Sequence, residues 1–175
     1  VMEGMKGMVK LWEETMAVTR AAIATDKCWW DLIQFVWNGG RWSIHDGGTD
    51  YQLKIRDKNQ QLQPIKYLQS HIAMEMLGVY LAPDGNQIEQ IKKMTKMSRD
   101  WGNRMQTGYL KPATAWNALN TIILKALEYP LAATTLSKVQ LQSILAPALD
   151  AALPASGICR SFPRAVLYGP HNRHC

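Results

Sequence analysis

The chain has 175 residues, 47% of them hydrophobic, enough for one compact unit or two small lobes, since a chain of this length buries roughly 70% of its unfolded surface. Twenty Lys and Arg against fourteen Asp and Glu give a formal charge of +6, which favours polyanionic partners without specifying one. Cys28, Cys159 and Cys175 are widely spread with no CxxC spacing, so neither a disulfide framework nor a zinc site is implied and a reducing, intracellular setting, nucleus or cytoplasm, is expected.

The first residue is Val1 and the first ten residues already look like the approach to a helix, so a piece cut from something longer is expected; the N-terminus of the sequence carries no signal-peptide pattern. Met2, Met5, Val9, Trp12, Met16, Thr19 and Ile23 recur at spacings of three and four, which predicts a helix from about Lys6 to Ala24 with a packed Met and Trp stripe. After Thr25-Asp26-Lys27 the pattern turns to β. A two-residue turn at Gly39-Gly40 would set Trp37 opposite Trp42 and Phe35 opposite Ile44. Tyr51, Leu53 and Ile55 alternate with polar residues and predict a third strand before the turn Asp57 to Gln60. Leu62 to Leu68 reads as a further strand that Pro64 confines to an edge.

Met76 to Leu81 reads as the next strand, followed by the turn "APDG", where Pro83 presets φ and Gly85 closes the bend. Asn86 with Glu89 has the form of a capping box, so a helix should start there with Ile88, Ile91, Met94, Trp101 and Met105 on its apolar face and Ser98 as a gap. Pro112 opens another helix with Trp116, Leu119, Ile123, Ala126 and Leu127 on one face, ended by Pro130. Ser137 with Gln140 forms a second capping box for a helix bent or broken near Pro147. No run of 18 apolar residues occurs, because Lys125 and Glu128 interrupt the most hydrophobic helix, so no membrane partner is expected.

The chemistry-bearing motifs are few. There is no Gly-rich phosphate loop, HExxH, GxSxG or adjacent pair of aspartates; the eight aspartates are scattered singly. His171, His174 and Cys175 are a weak metal-ligand pattern at a tail expected to fray, and no metal site is assigned to the chain. What stands out is a basic helix: Lys92, Lys93, Lys96, Arg99, Arg104 and Lys111 against only Glu89 and Asp100. Such a face can neutralise phosphates and release their counterions. A solvated outer face is the plain alternative.

Three blocks, "MLGVYLAPDGNQIEQI", "GYLKPATAWNALNTIILKALEYPL" and "LPASGICRSFPRAVLYGP", resemble in order the region of retroelement reverse transcriptases that follows the catalytic aspartates, from about Val9 to Pro170. The resemblance implies an α+β fold: residues 1–85 as a palm edge, a helix with small antiparallel hairpins, then residues 86–170 as a three-helix thumb, with a tail at 171–175. It implies that a hairpin carrying Leu77-Gly78, with Tyr80, grips a primer strand. Lys92, Lys93, Lys96, Arg99 and Arg104 would then face the phosphates of an RNA–DNA or DNA primer-template duplex. Lys27 in "TDKCWW" resembles the basic palm residue that protonates departing pyrophosphate. The other partners would be the remaining palm and fingers, and Mg2+ would serve the complete parent, an RNA-directed DNA polymerase. The Tyr/Phe-x-Asp-Asp signature is missing and the tail "HNRHC" departs from the family, so this chain alone is expected to be inactive. A rival reading is a free-standing helical interaction module with a Trp-rich binding hairpin. Exposed Trp30, Trp37 and Trp42 would favour that rival; the same residues buried on the first helix would favour the palm edge.

Overall fold

The computed structural model describes residues 2–19, 21, 23–47 and 50–168. The fold is α+β, and the chain divides into two compact units: Val1–Ala73 with Ala82–Asn86, and Met74–Leu81 with Gln87–Cys175. The sequence reading drew one boundary after residue 85. The hairpin at 74–81 instead belongs with the helices, because its bonds run to them.

In the first unit, α1 spans Met2–Val18, stopping short of the expected Ala24. Its end is rich in groups that compete for the helical backbone. Thr19 Oγ1 donates back to the carbonyls of Thr15 and Met16, and the Ala21 N–H reaches Met16 O in a wider turn. A 3-10 turn at Thr25–Lys27 leads into β1 (Trp29–Trp30), β2 (Ile33–Asn38) and β3 (Arg41–Asp46). β2 and β3 form the expected hairpin, with Trp37 opposite Trp42 and Phe35 opposite Ile44. Gly39 and Gly40 both take positive φ, +54° and +92°, the conformation a two-residue turn of this hand requires.

The expected third strand is confined to β4 (Lys54–Arg56), paired antiparallel with β5 (Leu62–Pro64). The single strand expected from Leu62 to Leu68 is two pieces. Past Pro64 the chain changes partner, and β6 (Lys66–Tyr67) pairs in parallel with β1. Among the described residues the strands form four separate two-stranded ladders, three of them the small antiparallel hairpins expected and one, β1 with β6, parallel. Trp30, Leu53, Ile55 and Ile65 form the buried core of this unit, with Met5 and Val9 of α1 packed on it.

In the second unit, β7 (Met74–Met76) and β8 (Val79–Leu81) make a hairpin with Leu77-Gly78 at its turn, as the resemblance implied, where the residue pattern alone read one strand from Met76 to Leu81. Helix α2 covers Ile88–Thr107. The predicted capping box at Asn86 and Glu89 does not form, since the Asn86 N–H that Glu89 would accept goes to Asp84 Oδ1 at 2.8 Å. Gln87 is the N-cap residue and exchanges two hydrogen bonds with Thr135, while Glu89 pairs with Lys92. α3 (Pro112–Ala118) continues through a π-helical turn, Leu119–Ile123, into α4 (Leu124–Glu128), and Pro130 follows in a 3-10 turn. α5 (Lys138–Ala155) opens on the expected capping box of Ser137 and Gln140, and α6 (Arg164–Tyr168) closes the described chain. The core is Met94 and Met105 of α2, Leu119, Ile123 and Leu127, and Ile144, Ala148, Leu149 and Ala152 of α5.

α5 is not broken at Pro147; it runs through it. The reason lies on α2. Ser98, fully buried, accepts the Ala148 N–H at 3.2 Å, and Gly102 leaves room for the Pro147 carbonyl. The polar gap in one helix meets the proline of the other.

Candidate nucleic-acid interface

The site is built on the tip of the β7–β8 hairpin. Met76 pairs with Val79, leaving Leu77 and Gly78 as a two-residue turn with φ of +50° and +83°. Positive φ at both positions matches the twist of a tight hairpin, but it suits glycine and strains leucine. A Cβ at Gly78 would meet nothing within 4 Å. The glycine is therefore required by the turn and not by internal packing. Leu77 is 90% exposed.

Both turn carbonyls are held from the helical side. Tyr129 Oη donates to Leu77 O at 2.9 Å, and Lys93 Nζ donates to Gly78 O at 2.7 Å while pairing with Glu75. One turn earlier on α2, Gln90 Oε1 accepts the Tyr80 N–H at 2.8 Å. The Lys93 ammonium also lies 5.1 Å from the centre of the Tyr80 ring, a cation–π contact. The hydrogen bond and charge of Lys93 hold the Glu75 carboxyl below its usual range. Gly78, Tyr80 and Lys93, singled out from sequence, thus form one cluster, but Lys93 is spent on fixing the hairpin. Glu75, Gln90 and Tyr129 were missed: the sequence pattern gives no sign of an i, i+3 grip made by a polar pair on an otherwise apolar flank.

The remaining basic residues are arranged by the helical period. At 3.6 residues per turn, Lys92, Lys96 and Arg99 fall within roughly 60° of one another, facing away from the core stripe of Met94, Ser98 and Met105. All three are exposed. Lys92 is partly neutralised by Glu89 at 2.7 Å; Lys96 and Arg99 form no ion pair among the described residues. Arg104 lies about 100° round from these, on the same flank as Lys93 and about 16 Å further along the axis, with its guanidinium 5.5 Å from the Trp101 ring centre. The five basic residues therefore split into an outward trio and a flanking pair.

Lys27 sits in the first unit, exposed in the 3-10 turn before β1. Of the aspartates there, burial and then the charge of Asp46 raise the Asp31 carboxyl, whereas Asp46 is held low chiefly by Ser70. Among the described residues no group of three or more His, Cys, Asp or Glu is placed to hold a metal ion; His171, His174 and Cys175 lie outside them. No helix among the described residues is long and apolar enough to cross a membrane.

No protein-family model matches this chain, and searches of curated proteins and of solved structures give no match to it either.

Proposed function

We propose that this chain is the duplex-holding part of a retroelement reverse transcriptase, a palm edge followed by a thumb, acting during RNA-directed DNA synthesis with catalytic aspartates and Mg2+ that belong to the rest of the polymerase. The observation that carries the reading is that one helix, α2, bears the exposed trio Lys92, Lys96 and Arg99 on one sector. Its neighbouring flank fixes the Leu77-Gly78 hairpin through Lys93 and Gln90. Phosphates neutralised by the trio would position a duplex without reading its sequence, and the hairpin tip would meet the strand end. Further support comes from α1. Besides its packed face it carries Met8, Leu11, Trp12 and Val18 exposed, a second apolar face suited to an edge element with another layer beside it. Lys27, exposed on its turn, keeps the proton-donor role only as part of this proposal.

The decisive experiment is a titration with an RNA–DNA hybrid over a range of salt. Binding is expected to weaken with salt, and changing Lys92, Lys96 and Arg99 to alanine should flatten the slope by up to about 0.9 per lost phosphate contact. An unchanged slope removes the thumb assignment.

The tryptophans divide between the two readings. Trp30 is buried in the core beside α1, with its ring tilted against that of Tyr67 at 5.0 Å between centres, which favours the palm edge. Trp37 and Trp42 are 56% and 66% exposed, which favours an interaction module. Pull-down that depends on Trp37 and Trp42, without hybrid binding, would establish that second reading.

A further inference from the structure

In the first unit, α1 and the β4–β5 hairpin wall an open cleft of about 890 Å³ that the proposed duplex-holding role does not use. Its floor is aliphatic: Val9 and Met16 of α1, Ile23, Leu53 and Leu62. No aromatic residue lines it among the described residues. Around the rim stand Lys6 and Lys10, one turn apart on α1, Lys54 of β4, and Lys58 of the following turn.

The charge balance of this rim is positive, with Lys6, Lys10, Lys54, Lys58 and Arg56 against Glu13, Glu14 and Asp57. Glu13 is engaged by the Arg56 N–H at 2.6 Å, with the Arg56 guanidinium 3.9 Å away. Asp57 accepts the N–H groups of Asn59 and Gln61 at 2.8 and 2.9 Å, and the Gln61 bond leads in keeping its carboxyl below the usual range. Asp57 keeps its negative charge beside Lys58 and Glu13 is matched by Arg56, so the excess positive charge rests on Lys6, Lys10 and Lys54 against Glu14, none of which forms an ion pair among the described residues.

We propose that this cleft binds an acidic amphipathic helix of a partner protein. Apolar side chains at helical spacing would fill the aliphatic floor while carboxylates on either side meet the lysines, the helix-in-groove mode with complementary charge. The lining residues of α1 run from Lys6 to Ala17, about 16 Å or three helical turns, which suits a helix lying alongside. A single nucleic acid strand fits worse, because strand-binding grooves stack bases on aromatic rings, and this floor offers none.

The test is fluorescence anisotropy of the chain with a labelled synthetic peptide of about four helical turns, leucines at i, i+3, i+4 and i+7 and glutamates elsewhere. Binding should appear at low salt and fall about tenfold in the Lys10→Glu, Lys54→Glu double variant, whose unchanged circular dichroism would show that it folds. A peptide with lysines replacing the glutamates should bind the double variant and not the parent chain. The Lys92→Ala, Lys96→Ala change should leave peptide binding alone, so the outcome is independent of the hybrid titration. No binding of the acidic peptide, or binding indifferent to the double charge reversal, overturns the proposal. A single-stranded oligonucleotide that displaces the peptide and loses affinity in the same double variant also overturns it, and reassigns the cleft to nucleic acid.

Discussion

Gly102→Ala sets two opposed effects against each other at the crossing of α2 and α5. Alanine in a helix interior is favoured over glycine by about 0.8–1.0 kcal/mol, so on α2 alone the change would stabilise. At this position, however, the new Cβ would lie 2.7 Å from Pro147 O, 3.3 Å from its carbonyl carbon and 3.7 Å from Ala151 Cβ. The oxygen is part of a helix backbone and cannot rotate aside, so α5 must move by several tenths of an ångström. That shift also stretches the 3.2 Å bond from Ala148 N–H to Ser98. Overpacking of this kind costs about 1–3 kcal/mol. The net expectation is a loss of about 1 kcal/mol, read in urea unfolding followed by circular dichroism as a midpoint lower by about 0.5 M for a slope near 2 kcal/mol per molar. Gly102→Val should lose more. A Gly102→Ala chain as stable as the parent, or more so, would refute the close approach of these helices.

Ser98→Ala should destabilise by about 1–2 kcal/mol in the same assay, because it leaves a buried Ala148 N–H without its acceptor. Glu75 gives a pH signature. Lys93 lowers its folded-state pKa below the ordinary value of 4.5, so its stabilising effect is complete above that value and lost as pH falls through the lowered one. The melting temperature of Glu75→Gln should therefore trail the parent at neutral pH, with the gap closing in acid; a gap constant with pH would contradict the pairing. Cys159 should react with a thiol reagent before Cys28 at neutral pH, as seen by peptide mapping. The Ser161 hydroxyl lowers the Cys159 thiol pKa, whereas burial and then Asp26 raise that of Cys28. Ser161→Ala should slow Cys159.

Features decided within a few residues were legible from the letters. The Gly39-Gly40 turn fixes both φ sign and register, and Ser137 with Gln140 completes its reciprocal bonds inside one helical turn. What escaped was decided by partners distant in sequence. Ser98 read as a gap and Pro147 as a break, and each is explained only by the other, 50 residues apart in the Ala148 to Ser98 bond. The reciprocal bond of the Asn86–Glu89 box failed because the Asn86 N–H is taken by Asp84 and Glu89 by Lys92. Lys93 was counted with the phosphate-facing cations because its spacing fits them, yet Glu75 and the Gly78 carbonyl compete for its ammonium. The basic face was legible as a charge count; its division into an outward trio and a flanking pair needed the hairpin.

Leu77 brings strain and exposure together. An L-residue in the left-handed region costs about 1–2 kcal/mol, and asparagine before glycine is the preferred pair for such a turn. With Leu77 90% exposed, Leu77→Asn gives up little burial and should stabilise the second unit by about 0.5–1 kcal/mol. Under the proposed duplex-holding role, this exposed, strained leucine would be kept for something outside the chain, as strained positions at functional sites are. If that something is a primer strand end, Leu77→Asn should be more stable and yet bind the RNA–DNA hybrid less tightly, with the salt slope unchanged because no phosphate contact is lost. Greater stability with undiminished hybrid binding would separate the hairpin tip from the duplex and leave the outward trio of α2 as the whole interface.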